Sequence, residues 1–327
     1  MKRNIVKILF FVENAENETA KNLISSFGNH PVDVIPYYKG GINQCEVAER
    51  DGQQGVLFSE HFYRPSDYAA ALLWCWGTAD LGRKYLRIFE EQGVEVLNST
   101  HHTEVTDSKI DFFRLLQKAD IPSPKTIFLD DCLSLHADSS DEVPDLLGPP
   151  PYVLKSNYGT RGEGIQFLRT LSDTQRAFNK LIEKGCSGGD FLLQEFIGNP
   201  EAAIHHYRVI VIGDQVLSQA IKATAKKPMS ISNISAGSAV EWVDLDEDLK
   251  SVALDATRAS GLTVAGVDIM VAPDRLDSPV LVLEVNDGPG TKTFDRAGFQ
   301  LSQQIVDYFI SRIKNNNAVN DENYHVA

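Results

Sequence analysis

The stretch that most constrains the fold is LVLEVNDGPG, residues 281–290, an apolar run that stops at a glycine-proline turn. Such a run is the end of a buried strand, and strand periodicity turns Glu284 and Asn286 to the same face. A carboxylate and an amide oxygen on one face are hard oxygen ligands suited to Mg²⁺. Upstream, LTVAGVDIMVAP (262–273) carries Asp268 in a second apolar strand, a hairpin partner across DRLDS. A lone acid at a strand end most often just caps a turn. Two adjoining strands that bring Asp268, Glu284 and Asn286 together favour a metal site.

With 327 residues the chain exceeds one ordinary domain, so two or three cores are expected. A formal charge of −14 disfavours a nucleic-acid surface, which needs clustered Lys and Arg, but leaves room for a nucleotide held by a few local cations. Cys45, Cys75, Cys132 and Cys186 are scattered without a CxxC pair, so neither zinc nor a disulfide framework is indicated and a reducing cytoplasm fits. MKRNIVKILFFVEN starts like a signal peptide, yet Lys7 interrupts the run and no small-residue cleavage site follows, so residues 5–12 read as a first strand. AAALLWCWGT (69–78) is too short to span a bilayer, and no membrane partner is expected.

Residues 1–104 alternate the strand candidates KILFFV, VDVIPY, ALLWCWG and VEVLN with helical patterns, the mark of an α/β domain with a parallel sheet. Residues 81–93 read as a helix stopped by Gly93. His30, His61, His101 and His102 lack ligand spacing. The helix expected over 107–120 places Lys109 in its first turn, unfavourable for a cation unless an anion lies there; the plain alternative is a solvated lysine. Residues 130–151 read as an acidic, then proline-rich loop. YVLKSNYGTRGEGIQFL (152–168) runs from a strand with Lys155 into a turn with Gly159, Gly162 and Gly164, whose amides can cradle phosphate oxygens. It is neither a Walker A loop nor a dinucleotide fingerprint, and a glycine-rich hairpin is the plain reading. In FLLQEFIGN, Gln194, Glu195, Phe196 and Ile197 offer backbone hydrogen bonds and an apolar wall for a flat heterocycle. Residues 205–223 read as two strands around Gly213 and Asp214, flanked by Arg208 and Lys222; His205 and His206 face opposite sides and cannot share an ion. AKKPMSISNISAGS (225–238) is a polar, locally basic loop, suited to closing over a substrate or simply exposed. A closing amphipathic helix and a frayed tail end the chain.

In this order, Lys109, VLKSNYGTRGEGI, LLQEFI, YRVIVIGDQV, AGVDIM and VLEVNDGPG resemble the ATP-grasp superfamily, and within it the RimK-like carboxylate-amine ligases. The resemblance covers about residues 72–314, including GVEVLNS and ADIPSPKT. It implies an α/β and α+β chain: a pre-ATP-grasp α/β domain (1–104) followed by a two-subdomain ATP-grasp fold. The latter comprises a central lid subdomain with the glycine-rich loop (105–190) and a C-terminal subdomain with the metal site (191–316), before a tail at 317–327. By that likeness ATP lies between the two subdomains, Lys109 and Lys155 contact phosphates, and the turn of Gly159, Gly162 and Gly164 covers them. Gln194, Glu195, Phe196 and Ile197 would hold adenine. Asp268, Glu284 and Asn286 would bind two Mg²⁺ ions, with Mn²⁺ an alternative. Arg208 would face the transferring phosphoryl group, with Lys222 and Asn233 beside the chemistry.

The activity implied is ligation of a carboxylate to an amine: the γ-phosphoryl group of ATP converts the acid to an acyl phosphate, the amine attacks, and ADP and phosphate leave. Charge neutralisation and alignment suffice for this, with no Ser or Cys nucleophile. The chain departs from the pattern in holding His206 where an Asp is usual, and Ala223 after Lys222 where a basic pair often follows. This puts glutamate-adding specificity in doubt and leaves an amino acid or peptide as the expected substrate. Rival readings are an ATP-binding regulatory protein and a kinase-like enzyme that stops at phosphorylation. Dimers and tetramers are common among similar ligases, so a homo-oligomer is open.

Overall fold

The structure, a computed structural model, describes residues 5–75, 79–129, 139–159, 162–186, 188–231, 238–272 and 280–324. By their contacts the residues fall into two units, one of 1–103 with 288–327 and one of 104–287. In the first unit, β1 (Ile8–Val12) is buried at every position and lies between β2 (Val32–Pro36) and β3 (Ala70–Trp74); β4 (Glu95–Val96) completes a parallel sheet of order β2-β1-β3-β4. These are the strands expected from the apolar runs. α1 (Glu18–Ser26) starts at Asn17, whose side chain accepts from the Thr19 amide, and α2 (Ala79–Glu90) packs on β1 and β3. α2 ends at Glu90, short of the expected Gly93, where a φ of +82° turns the chain.

A three-stranded antiparallel sheet, Cys45–Arg50, Gln53–Phe58 and His61–Tyr63, was not expected between β2 and β3. Its first strand is mostly exposed and charged, so it lacks apolar alternation, but the Asp51-Gly52 pair at its tip is a two-residue hairpin signal, both residues having positive φ. The closing helix Leu301–Tyr324 buries Leu301, Ile305, Val306, Phe309 and Ile313 at helical spacing. It packs on α1, so residues from 288 onward, grouped by sequence with the metal-bearing subdomain, count with the N-terminal unit by contact.

The second unit holds two antiparallel sheets. β5 (Thr126–Phe128), β6 (Tyr152–Ser156), β7 (Gln166–Leu168) and β8 (Phe191–Glu195) form one in the order β5-β8-β6-β7. Tyr152 and Leu154 turn inward with Leu193 onto Phe178 and Leu181 of α4 (Leu171–Glu183); α3 (Lys109–Lys118) precedes this sheet in the chain. A capping box of Thr170 and Asp173 starts α4. Within the stretch expected to be a loop, Val143–Leu147 is a short helix pinned by its buried end residues.

The other sheet has the order β11-β10-β9-β12-β13, from β9 (His205–Ile212), β10 (Gln219–Thr224), β11 (Ala239–Asp244), β12 (Val264–Val271) and β13 (Val280–Asn286). α5 (Glu247–Ser260), capped by Asp246 and ended by Gly261 at a φ of +71°, covers one face. Its core joins Leu249, Ala253 and Ala256 to Val209, Val211, Val267, Ile269, Val282 and Val285. Ile110, Phe112, Phe113 and Leu116 of α3 belong to this core too, so α3 is fixed against α5 while also touching β8 of the other sheet. Its first residue, Lys109, is thereby placed beside both sheets.

Candidate active site

Alternation along β9 sends Tyr207, Val209 and Val211 to the α5 face, and His206 and Arg208 to the other. On β12, Asp268 lies opposite Arg208 on one side and Glu284 of β13 on the other, while Gly266 faces Asn286. The pairing then slips: Ile269 lies opposite Val282, which leaves Leu283 as an extra residue. This bulge puts two consecutive side chains on the open face. Leu283 packs with Ile197, Met270, Ala272 and Leu281, and Glu284 follows beside Asp268. One face therefore collects His206, Arg208, Asp268, Glu284 and Asn286, next to an apolar patch.

Asp268 is 7% exposed and both its oxygens are engaged. The Arg208 Nε donates to Oδ1 and its Nη2 to Oδ2 at 2.6 Å, while His206 Nε2 lies 3.7 Å from Oδ1. Burial pushes the Asp268 carboxyl up, but Arg208 and His206 more than offset this and hold it below the usual carboxylate range. Glu284 goes the other way: burial and the Asp268 charge raise it against Lys109, Arg208 and Lys155. Burial also lowers His206, against the pull of Asp268, which favours the neutral imidazole.

Both lysines reach this charge field. Ser108 caps α3 by accepting from the Asp111 amide, and Lys109 Nζ donates to the Gly159 carbonyl at 2.8 Å. Alternation on β6 turns Lys155 away from the α4 core, and its Nζ stands 5.6 Å from the centre of the Phe113 ring. Burial, opposed by Glu284 and reinforced by Lys109, pushes the Lys155 ammonium down to about 8. Lys109 is lowered by burial, against Glu284 and Asp107.

Gly159, Gly162 and Gly164 all have positive φ, and at two of them an added Cβ would also meet a neighbouring side chain. A Cβ on Gly164 would stand 2.1 Å from Ser156 Oγ, and one on Gly162 would stand 2.5 Å from Ile231 Cδ1. Gln194 is spent internally, its Nε2 donating to Thr126 Oγ1 at 2.8 Å, and Glu195 Oε1 accepts from the Lys125 amide at 2.6 Å. Phe196 donates its amide to Pro151 and sets its ring 6.0 Å from that of Phe167. Ile197 joins the apolar patch at Leu283.

Lys222 does not join the group. It lies opposite Tyr207 in the ladder, hence on the α5 face, and pairs with Glu241 at 2.7 Å. His205 shares that face, its ring 5.6 Å from Tyr207, so the two histidines do point apart. Asn233 lies outside the described residues.

Residues 106–309 match the model of the RimK-like ATP-grasp domain. A probable alpha-L-glutamate ligase 2 of Shewanella denitrificans is 33% identical over 238 residues, 71% of this chain and 73% of that protein. The chain belongs to the RimK-like ATP-grasp family. Another relative, a probable alpha-L-glutamate ligase of Stenotrophomonas maltophilia, is 31% identical over 69% of this chain and 73% of its own length. Among solved structures, the ATP-grasp ligase PsnB complexed with a minimal precursor superposes with a TM-score of 0.66 at 17% identity, over 94% of this chain and 99% of that one. D-cycloserine synthetase DcsG has the same TM-score at 15% identity and the same coverage. These two likenesses show the fold. Membership of this family makes the chain an ATP-dependent ligase of carboxylates and amines.

The family's metal fits the donor set in part. Glu284 is a half-buried carboxylate raised by desolvation and by the Asp268 charge, a combination that a divalent cation would relieve. Among the described residues no group of three His, Cys, Asp or Glu is placed to hold an ion, and Asn286 donates its Nδ2 to the Gly266 carbonyl at 3.2 Å. Sequence reasoning missed Met270, Leu281 and Leu283 as site-face residues, because an unbroken VLVL run does not mark where the bulge falls. Among the described residues no helix is long and apolar enough to cross a membrane.

Proposed function

We propose that this ligase activates the carboxyl group of an amino acid or peptide with ATP and joins it to an amine through an acyl phosphate. The observation that carries the reading is the electrostatic coupling of Lys109 and Lys155 to Glu284, on the face that also carries Arg208 and Asp268, backed by the apolar patch of Ile197, Met270 and Leu283. Lys109 and Lys155 would neutralise the phosphates beneath the turn of Gly159, Gly162 and Gly164, and the apolar patch would take the adenine ring. Arg208 would face the oxygens of the phosphoryl group in transfer.

Asp268, Glu284 and Asn286 would hold Mg²⁺, two ions in all, and the metal would supply charge neutralisation between the phosphate oxygens. Each Asp268 oxygen accepts from Arg208 yet keeps a second lone pair, so Asp268 could hold the metal with the Arg208 pair in place, and the remaining N–H groups of the guanidinium would face the phosphoryl group. The test is Glu284→Ala, assayed for substrate-dependent ADP formation: the reading predicts a fall of at least about 100-fold with the fold intact by circular dichroism. Unchanged turnover would remove Glu284 from the metal site.

A further inference from the structure

Asn157 joins the two phosphate-side lysines at one point. It is 7% exposed and lies two residues after Lys155. Its Oδ1 accepts from the Ile110 amide at 2.9 Å and from Ser108 Oγ at 3.2 Å, so the side chain seizes the first turn of α3. Its carbonyl accepts from the Lys109 amide at 3.2 Å and from Lys109 Nζ at 3.4 Å, and its own amide donates to the Asp190 carbonyl at 2.7 Å. The first amides of a helix have no partner within it and need an external acceptor. Here that acceptor comes from the β6 end that carries Lys155, 47 residues away in sequence.

We infer that Asn157 is a positioning residue for the nucleotide: it locks the start of α3 to the end of β6 and so sets the spacing between the Lys109 and Lys155 ammonium groups. Both lysines are desolvated, and Lys109 Nζ donates to the Asn157 and Gly159 carbonyls, so their spacing depends on the backbone around them. Removing the Asn157 oxygen leaves the Ile110 amide buried without its acceptor and lets the helix start shift. Only an acceptor oxygen is required at this position, since the bonds to α3 run into Oδ1. The inference rests on the nucleotide reading of the two lysines.

The experiment is calorimetric titration of Mg-ADP into the whole chain as wild type, Asn157→Ala and Asn157→Asp, with thermal melting alongside. Asn157→Ala is expected to weaken ADP binding about tenfold. Asn157→Asp, which keeps the acceptor, is expected to recover most of that loss. A drop in melting temperature with unchanged ADP affinity in Asn157→Ala would reduce the residue to a helix cap and overturn the inference. Equal loss in Asn157→Asp and Asn157→Ala would overturn it too. If Asn157→Ala fails to fold, Ser108→Ala is the second variant, since it removes one donor to Oδ1; it is expected to weaken ADP by a smaller factor, and unchanged affinity there contradicts the inference. Wild type that binds no ADP would fail the nucleotide reading itself, a result distinct from any pattern among the variants.

Discussion

Lys155 owes its chemistry to its neighbours. Its ammonium, pushed down to about 8 by burial, carries its charge at neutral pH but loses it over the next units upward. In the unfolded chain it titrates near 10.5, so the unfolded state binds more protons between about 8 and 10.5 and stability rises with pH in that window. Nucleotide affinity should move the opposite way, since phosphates need the charge: the ADP dissociation constant should climb above about pH 8, by up to tenfold per pH unit. Lys155→Arg should flatten that profile, as a guanidinium keeps its charge; an unchanged profile would show that another group titrates. At this scale the sequence was informative where alternation decides direction, as for Glu284 and Asn286. It failed for Lys222, whose face depends on its register against Tyr207 and cannot be counted from its own strand. It was silent on Asn157, whose partners lie in a helix far away in sequence.

Among elements, the glycine-rich turn and the β12–β13 hairpin shape the site. Gly164 combines a φ of +73° with a Cβ position 2.1 Å from Ser156 Oγ, so Gly164→Ala should cost about 1–3 kcal/mol and weaken nucleotide binding. Urea unfolding and ADP titration check the two parts, and a variant as stable and as tight as wild type would contradict the geometry. Gly162 is favoured at its position by a φ of +85°, and a Cβ there would also press on the tip of the Ile231 side chain. Spacing and type made the glycines legible, and Pro122 and Pro124 marked the end of α3. The bulge at Leu283 was not legible, because both registers bury an apolar residue at every step. The bulge gives the open face both an apolar wall and a carboxylate from adjacent positions. Leu283→Ala should therefore weaken ADP binding with little change in melting temperature, Leu283 being only partly buried. A large loss of stability without loss of affinity would make it a core residue instead.

For the whole molecule, the order of motifs carried the family and the α/β and α+β class, while contacts group the chain ends differently from a linear division. Residues 288–327 return to the N-terminal sheet because the closing helix buries its apolar stripe against α1, a tertiary choice that helical periodicity does not reveal. The central claim is that this chain forms an amide from a carboxylate and an amine at the expense of ATP. The direct measurement is ADP and phosphate release with Mg-ATP across a panel of amino acids and short peptides, with mass spectrometry of the products. The account predicts substrate-dependent ADP release together with a product lighter than its two precursors by one water. Substrate-dependent ADP release with a phosphorylated product that does not go on to an amide when amines are present would contradict it.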